Sequence, residues 1–197
     1  MREVHGRSFA LVAGALLALA ACGPVASPSP SVSVPSPSAP ASAFESPLYG
    51  YSVELSGVWR PDPATEAWTG TETFGSDSAN SDKFHSDRGT TIWAVAAPTT
   101  KTLDELVAER IADDAAENDC PTEAESDEDI TVSGQPARLT TKHCPADAAD
   151  GGALIVMATV LDQGDVYFFY FIYPVYLASD PNAIDAFTSF LDGVELP

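Results

Sequence analysis

The sequence predicts an α+β domain over residues 44–197: an antiparallel β-sheet flanked by two helices. Three observations point there. Short apolar-alternating runs follow one another with Gly- or Pro-containing turns between them, the pattern of successive hairpins. Two segments, from about Thr102 and from Asp180, carry helix-start signals followed by apolar residues at helical spacing. One run, 166–173, is apolar on both faces, which places it in the middle of a sheet covered on both sides. At 154 residues, such a domain buries about 68–70% of its unfolded surface, so the core is ample.

The elements follow in order. In "AFESPLYGYSVELSG", Pro47 to Gly50 supply a turn, and Tyr51, Val53 and Leu55 alternate with Ser52 and Glu54 as in a half-buried strand. Residues 61–80 are polar and rich in Gly, Ser and Thr, which predicts a loop. "DKFHS" and "TTIWAVAAP" read as a hairpin joined through Asp87-Arg88-Gly89. Thr102 and Glu105 fit a capping box, in which each side chain bonds the other residue's backbone N–H. Leu103, Leu106, Val107 and Ile111 then form one apolar stripe.

"ITVSGQPARLTT" reads as two strands around Ser133-Gly134. "ALIVMATVLDQGDVYFFYFIY" is the strongest hairpin, turning at Asp162 to Asp165. Its second arm sends Val166, Phe168, Tyr170 and Ile172 to one side and Tyr167, Phe169, Phe171 and Tyr173 to the other. The last helix has Asp180 as N-cap and Pro181 at the first helical position. Its stripe is Ile184, Phe187, Phe190 and Leu191, and Gly193 ends it.

This order of elements resembles the PsbP-like fold family, which includes many small bacterial lipoproteins. "YGYSVELSGVWRP" is similar to the family's opening motif of an aromatic residue, an alternating strand, a turn and a tryptophan, here Trp59. Ser56-Gly57-Val58 lacks the usual turn proline. "TTIWAVAAPTTKTLDELVAERI" resembles the family's strand-then-helix unit, "ITVSGQPARL" its glycine–x–proline strand start, and the closing hairpin with "FTSFLDGVELP" its ending. The resemblance implies an α-β-α sandwich. It carries over no catalytic residue, because the family is largely one of binding and accessory proteins.

Ahead of this domain stand a leader and a tract. Arg2 and Arg7 precede an uncharged stretch from Ser8 to Ala21, a basic region and an apolar region of signal-peptide length. It is short for a membrane span, which takes about 20 apolar residues. Leu19-Ala20-Ala21-Cys22 resembles the lipobox of bacterial lipoproteins, which implies that residues 1–21 are removed and Cys22 is acylated. The competing reading is an ordinary secretory signal with a chance cysteine. Residues 23–43, uncharged and without aromatics, bury too little to fold. Their alternating Pro and Ser favour polyproline II, at about 3.1 Å per residue, so the tract reads as a stalk of roughly 65 Å. The expected location is the extracytoplasmic face of the cell membrane, with the membrane as partner through a lipid anchor at Cys22.

Charge and cysteines agree. The chain carries −20, and without residues 1–22 it carries −21, with seven Lys or Arg against 28 Asp or Glu. Such a domain is repelled by nucleic acid phosphates, so no nucleic acid partner is expected. A stalk longer than the Debye length of about 8 Å relieves its repulsion from anionic headgroups. Cys120 and Cys144, the two cysteines after Cys22, read as one disulfide in an exported domain. The alternative is a pair of metal-binding or nucleophilic thiols.

Chemistry is sparse. The chain has no GxSxG, P-loop, HExxH or EF-hand spacing. No catalytic residue and no cofactor are expected. His85 reads as a surface residue and His143 as a loop neighbour of Cys144. The segment 113–129 holds nine acids and no base. It reads as a solvated loop, with calcium through Asp119, Asp127 and Asp129 as the alternative. Acids at a helix end oppose its dipole, so the first helix either frays early or is compensated by cations. The aromatic row 166–173 is read as core or, in part, as a cleft for an apolar ligand. Trp68, in "ATEAWTG", reads as satellite core, with an exposed binding edge in a loop as the alternative that makes it the possible binding residue.

These features favour a lipid-anchored, non-catalytic accessory or binding module for an unknown envelope protein or small molecule. The alternatives are an envelope-directed hydrolase and a weak calcium-binding acidic protein. A hydrolase needs a nucleophile and a base converging in one pocket, so what His85 and His143 touch discriminates the first.

Overall fold

The computed structural model of the chain describes residues 42–72, 78–118, 120–144, 152–174 and 182–197. Two sheets form. The larger has the order β3 (Trp59–Asp62), β4 (Asp82–Ser86), β5 (Thr91–Pro98), β9 (Asp165–Pro174), β8 (Ala153–Asp162), β7 (Gln135–Cys144) and β6 (Ser126–Val132), antiparallel at every pairing. The smaller joins β1 (Ser42–Glu45), β2 (Ser52–Leu55) and β10 (Val194–Glu195). The helices are α1 (Leu103–Asn118) and α2 (Asn182–Asp192). The described domain is thus α+β, with antiparallel sheets and two helices.

The doubly apolar strand β9 is fourth of the seven, as its pattern requires, and Val166 to Phe171 are all buried. Two hairpins close through two-residue turns with φ positive at both positions: Ser133-Gly134 (53° and 77°) and Gln163-Gly164 (48° and 95°). This turn's twist matches that of the strands it joins. The capping box is present: Glu105 Oε2 accepts the Thr102 N–H at 2.8 Å, and Thr102 Oγ1 accepts the Glu105 N–H at 3.3 Å. Leu106 and Val107 are buried beneath α1, with Leu103 and Ile111 half-buried.

Contacts of β9 differ between its faces. On the odd-numbered side, Phe187 of α2 stacks on Phe171 at 5.5 Å, and Phe190 meets Phe169, Phe84 and Trp59 at 4.9–6.2 Å. Tyr51 and Phe44 of the small sheet join this cluster through Phe169 and Phe84. On the even-numbered side, Phe168 meets Trp68, and the Tyr170 hydroxyl bonds Asp114 of α1.

Four expectations need correction. Residues 61 and 62, read as the start of a loop, belong to the strand β3, with Arg60 opposite His85 and Pro61 opposite Phe84. Pro61 is tolerated because β3 is a sheet edge. Asp127, Glu128 and Asp129 lie in the strand β6 rather than in a loop. β6 is the other edge, where charged side chains reach water on either face and discourage pairing with another chain. The stalk reading ended at Ala43, whereas β1 already includes Ser42 and Ala43, paired with Leu55 and Glu54. Ile184, placed in the buried stripe of α2, is 41% exposed, while Phe187, Phe190 and Leu191 are buried. The N-cap Asp180 and Pro181 lie outside the described residues, as does the segment 1–41.

Gly193 ends α2 for a different reason than a left-handed cap. Its φ is not positive, but an added Cβ would stand 2.9 Å from the Glu54 carbonyl oxygen. The backbones touch there: Glu54 N–H donates to the Gly193 carbonyl at 3.0 Å. Gly193→Ala is expected to push the end of α2 off β2 and cost about 1–3 kcal/mol, as overpacking does, measured by urea unfolding. An unchanged midpoint would contradict this.

Candidate functional site

A cleft lies on the even-numbered side of β9, with a volume of about 440 Å³. One wall is the loop Trp68–Glu72, the opposite wall is α1 from Leu106 to Asp113, and Ala97–Lys101 closes one end. Val166 and Phe168 form the floor. A second cleft of about 350 Å³ lies on the odd-numbered side, between Val58, Trp59, Tyr173 and Ala186.

Trp68 takes the satellite-core reading and not the exposed one: it is only 7% exposed. Its ring sits edge-on to Phe168 at 5.8 Å, and its Nε1–H donates to the Glu72 carbonyl at 2.7 Å. Its backbone N–H donates to the Tyr49 hydroxyl at 3.0 Å. The loop folds over it because Glu72 accepts from Thr69 N–H at 2.9 Å and Thr69 Oγ1–H at 2.6 Å. Those donors hold the Glu72 carboxyl below its ordinary value. Gly70, at φ +97°, supplies the left-handed residue of this turn. Trp68 therefore belongs to the cleft as a buried part of its wall, not as a free binding edge.

Charges on the walls are matched within the chain. Lys101 pairs with Glu109. Arg110 reaches Asp114 through Nη2 at 3.0 Å and Nε at 3.2 Å, and Asp113 at 3.8 Å. Behind it, Lys142 of β7 donates to the Ile111 carbonyl of α1 at 3.0 Å. Burial pushes the Asp114 carboxyl up despite Arg110 beside it, and burial pulls the Lys142 amine down. α1 runs to Asn118 with no basic residue in its last turn, and Arg110 holds the first two acids of the run, Asp113 and Asp114. A cleft with an apolar floor and polar walls, whose Lys101 and Arg110 are held by acids of the chain, suits a compact ligand that offers an apolar face and hydrogen-bonding groups.

Sequence reasoning missed Arg110, Asp114, Lys142 and Tyr170. The signal existed: Arg110 and Asp114 continue the helical spacing of Leu103, Leu106 and Val107, so they had to face the sheet. Lys142 shares a face of β7 with Thr140 and Cys144, both buried.

The remaining predicted residues separate. Cys120 and Cys144 are joined, with their Cα atoms 4.6 Å apart. Cys22 and Asp119 lie outside the described residues. Asp127 is held by Arg138, whose Nε donates at 2.8 Å, and Arg138 also reaches Asp104 at 2.8 Å and Asp129 at 3.5 Å. A guanidinium therefore stands among the proposed calcium acids, and the described residues contain no group of three ligands placed to hold a metal. His85 Nδ1 lies 3.1 Å from Thr91 Oγ1, and His143 Nδ1 lies 2.5 Å from Glu125 Oε2. Each histidine thus has the kind of partner a hydrolase asks for, but both pairs are exposed and neither residue lines either cleft.

Tyrosines tie the cleft's outer loop to the small sheet. Burial raises Tyr51 well above its ordinary value of 10.0, with Asp82 adding to the rise. Burial also raises Tyr49 and Tyr167 above 10.0. Their neutral forms are favoured in the fold, so their stabilisation is complete below pH 10 and lost as pH rises beyond it. The expected result is phenolate absorbance from these residues only as the domain unfolds. Full titration near 10.0 with the fold intact would contradict it.

No protein-family model and no curated protein matches the chain. Solved structures do. The chain is similar to the cyanobacterial PsbP (CyanoP) of Synechocystis sp. PCC 6803, at 13% identity and a TM-score of 0.54, over 79% of this chain and 92% of that one. It is also similar to LpqN of Mycobacterium tuberculosis, a protein involved in cell envelope biogenesis, at 12% identity and a TM-score of 0.53, over 81% and 87%. At such identities the likeness is one of fold, and the domain described here has the PsbP-like fold.

Proposed function

We propose that the chain is an extracytoplasmic lipoprotein whose PsbP-like domain, an α-β-α sandwich with α1 and α2 on opposite faces of the large sheet, is a non-catalytic accessory or binding module of the cell envelope. The observation that carries the binding reading is the cleft at Trp68 and Phe168, built and lined by satisfied side chains. The envelope setting is supported by the lipobox-like Leu19–Cys22, by the joined Cys120 and Cys144, and by the envelope role of LpqN. The hydrolase reading gains nothing from the histidine pairs, since neither histidine lines either cleft.

The test is photocrosslinking in intact cells from a reactive residue placed at Thr71, on the cleft rim, against the same residue at Lys83. A discrete adduct from Thr71 alone, lost with Trp68→Ala, is the expected result. Identical adducts from both positions, or none from Thr71, would contradict a binding cleft.

A further inference from the structure

The two walls of the cleft at Trp68 and Phe168 carry charge differently. On the α1 side, each carboxylate has a cation of the chain. Lys101 holds Glu109, while Arg110, with Lys142 behind it, faces Asp113 and Asp114. On the loop side stands Glu72. Its Oε2 accepts the Thr69 N–H at 2.9 Å and its Oε1 the Thr69 Oγ1–H at 2.6 Å, both neutral donors. Each oxygen takes one of these bonds, which leaves lone pairs for a further donor. Seven Lys and Arg follow Cys22, all of them among the described residues, and none forms an ion pair with Glu72. The Thr69 donors fix the carboxylate in place and hold it below its ordinary 4.5, so it is charged at neutral pH.

The rest of the lining selects what can meet this carboxylate. Val166, Phe168, Leu106 and Ala97 give the cleft an apolar interior. An inorganic cation such as calcium asks for six or more oxygens at once, and among the described residues no group of three ligands is placed to hold a metal. An anion finds Lys101 and Arg110 already held, in a domain whose net charge repels it. A neutral ligand would take the Glu72 carboxylate out of water with nothing to compensate it. An organic cation meets both demands. Its N–H groups donate to Glu72, and its apolar body covers Val166 and Phe168. Thr71 and Thr100 add hydroxyls to the same rim. One surplus carboxylate calls for one positive charge.

We propose, on the binding-cleft reading above, that the cleft takes a protonated amine carried on a compact apolar body, and that Glu72 selects its charge. The amine's attraction to an exposed carboxylate is screened by salt, so binding weakens as ionic strength rises.

Amide chemical shifts of the full chain, followed at pH 7 with benzylammonium, benzyl alcohol and benzoate, test this. Benzylammonium is expected to give saturable shifts at residues 69–72, 99–101 and 166–168. Benzyl alcohol, the same body without the charge, is expected to bind at least about tenfold more weakly, the scale of a hydrogen bond to a charged group, and benzoate not at all. Glu72→Gln keeps an oxygen for Thr69 but removes the charge, and is expected to weaken benzylammonium by the same factor. Thr71→Lys, which leaves Glu72 intact and places a cation of the chain next to it in sequence, is expected to do so as well. Benzyl alcohol bound at the same amides as tightly as benzylammonium would overturn the amine and leave the binding cleft standing. Benzylammonium shifts that avoid these amides, or an affinity unchanged in both variants, would overturn it too. In those cases the adduct from Thr71 in the photocrosslinking above decides separately whether the cleft binds something else.

Discussion

Asp114→Ala is expected to destabilise the domain by about 3–5 kcal/mol, the cost of breaking a buried ion pair by removing one partner. Asp114 is 3% exposed and lies against Arg110 and Lys142, at 9% and 3%. Burial raises the Asp114 carboxyl in spite of Arg110, so the pair is no net source of stability. The carboxylate instead makes two buried cations tolerable. The folded-state rise means that Asp114's own contribution is complete below its ordinary 3.8 and lost as pH climbs through the raised value. Replacing the whole cluster with apolar residues of similar volume, Arg110→Met, Asp114→Leu, Lys142→Met and Tyr170→Phe, is therefore expected to be neutral or stabilising. Urea unfolding of the single and quadruple variants decides it. A single variant within about 1 kcal/mol of the parent would show that water reaches the cluster.

Removing the bridge with Cys120→Ala and Cys144→Ala is expected to cost about 3–4 kcal/mol, because a closed loop of that length restricts the unfolded chain. The bridge spans 24 positions and fastens the α1–β6 connection to the end of β7. Reductant is expected to lower the parent's stability by the same amount and leave the double variant unmoved. A parent indifferent to reductant would contradict a bridge that contributes in the folded protein's environment. The outcome matters beyond stability, since a domain that depends on this bond belongs where thiols oxidise.

Hairpins were legible because their chemistry is local. Gln163-Gly164 and Ser133-Gly134 announce two-residue turns, and the two-sided apolar run of β9 announces a central strand. The Thr102–Glu105 box was legible for the same reason. The edge strands were not. β3 carries a proline and β6 has three acids in a row, so neither shows the period-2 pattern that burial of one face imposes. Trp68 stayed divided between satellite core and an exposed edge, because its surroundings in sequence are those of a loop while its burial depends on Phe168, a hundred positions away. Gly193 was placed correctly at the helix end, but only the approach of Glu54 shows why a side chain is excluded there. The cleft itself was not legible, since Trp68, Arg110 and Phe168, far apart in sequence, meet only through the fold.

The account rests on export and anchoring through Cys22, which mass spectrometry of the protein extracted from the membranes of producing cells tests most directly. It predicts a mature chain that begins at Cys22 and carries a thioether-linked diacylglycerol. A bare Cys22 thiol, or a chain that retains residues 1–21 in the cytosol, would contradict it.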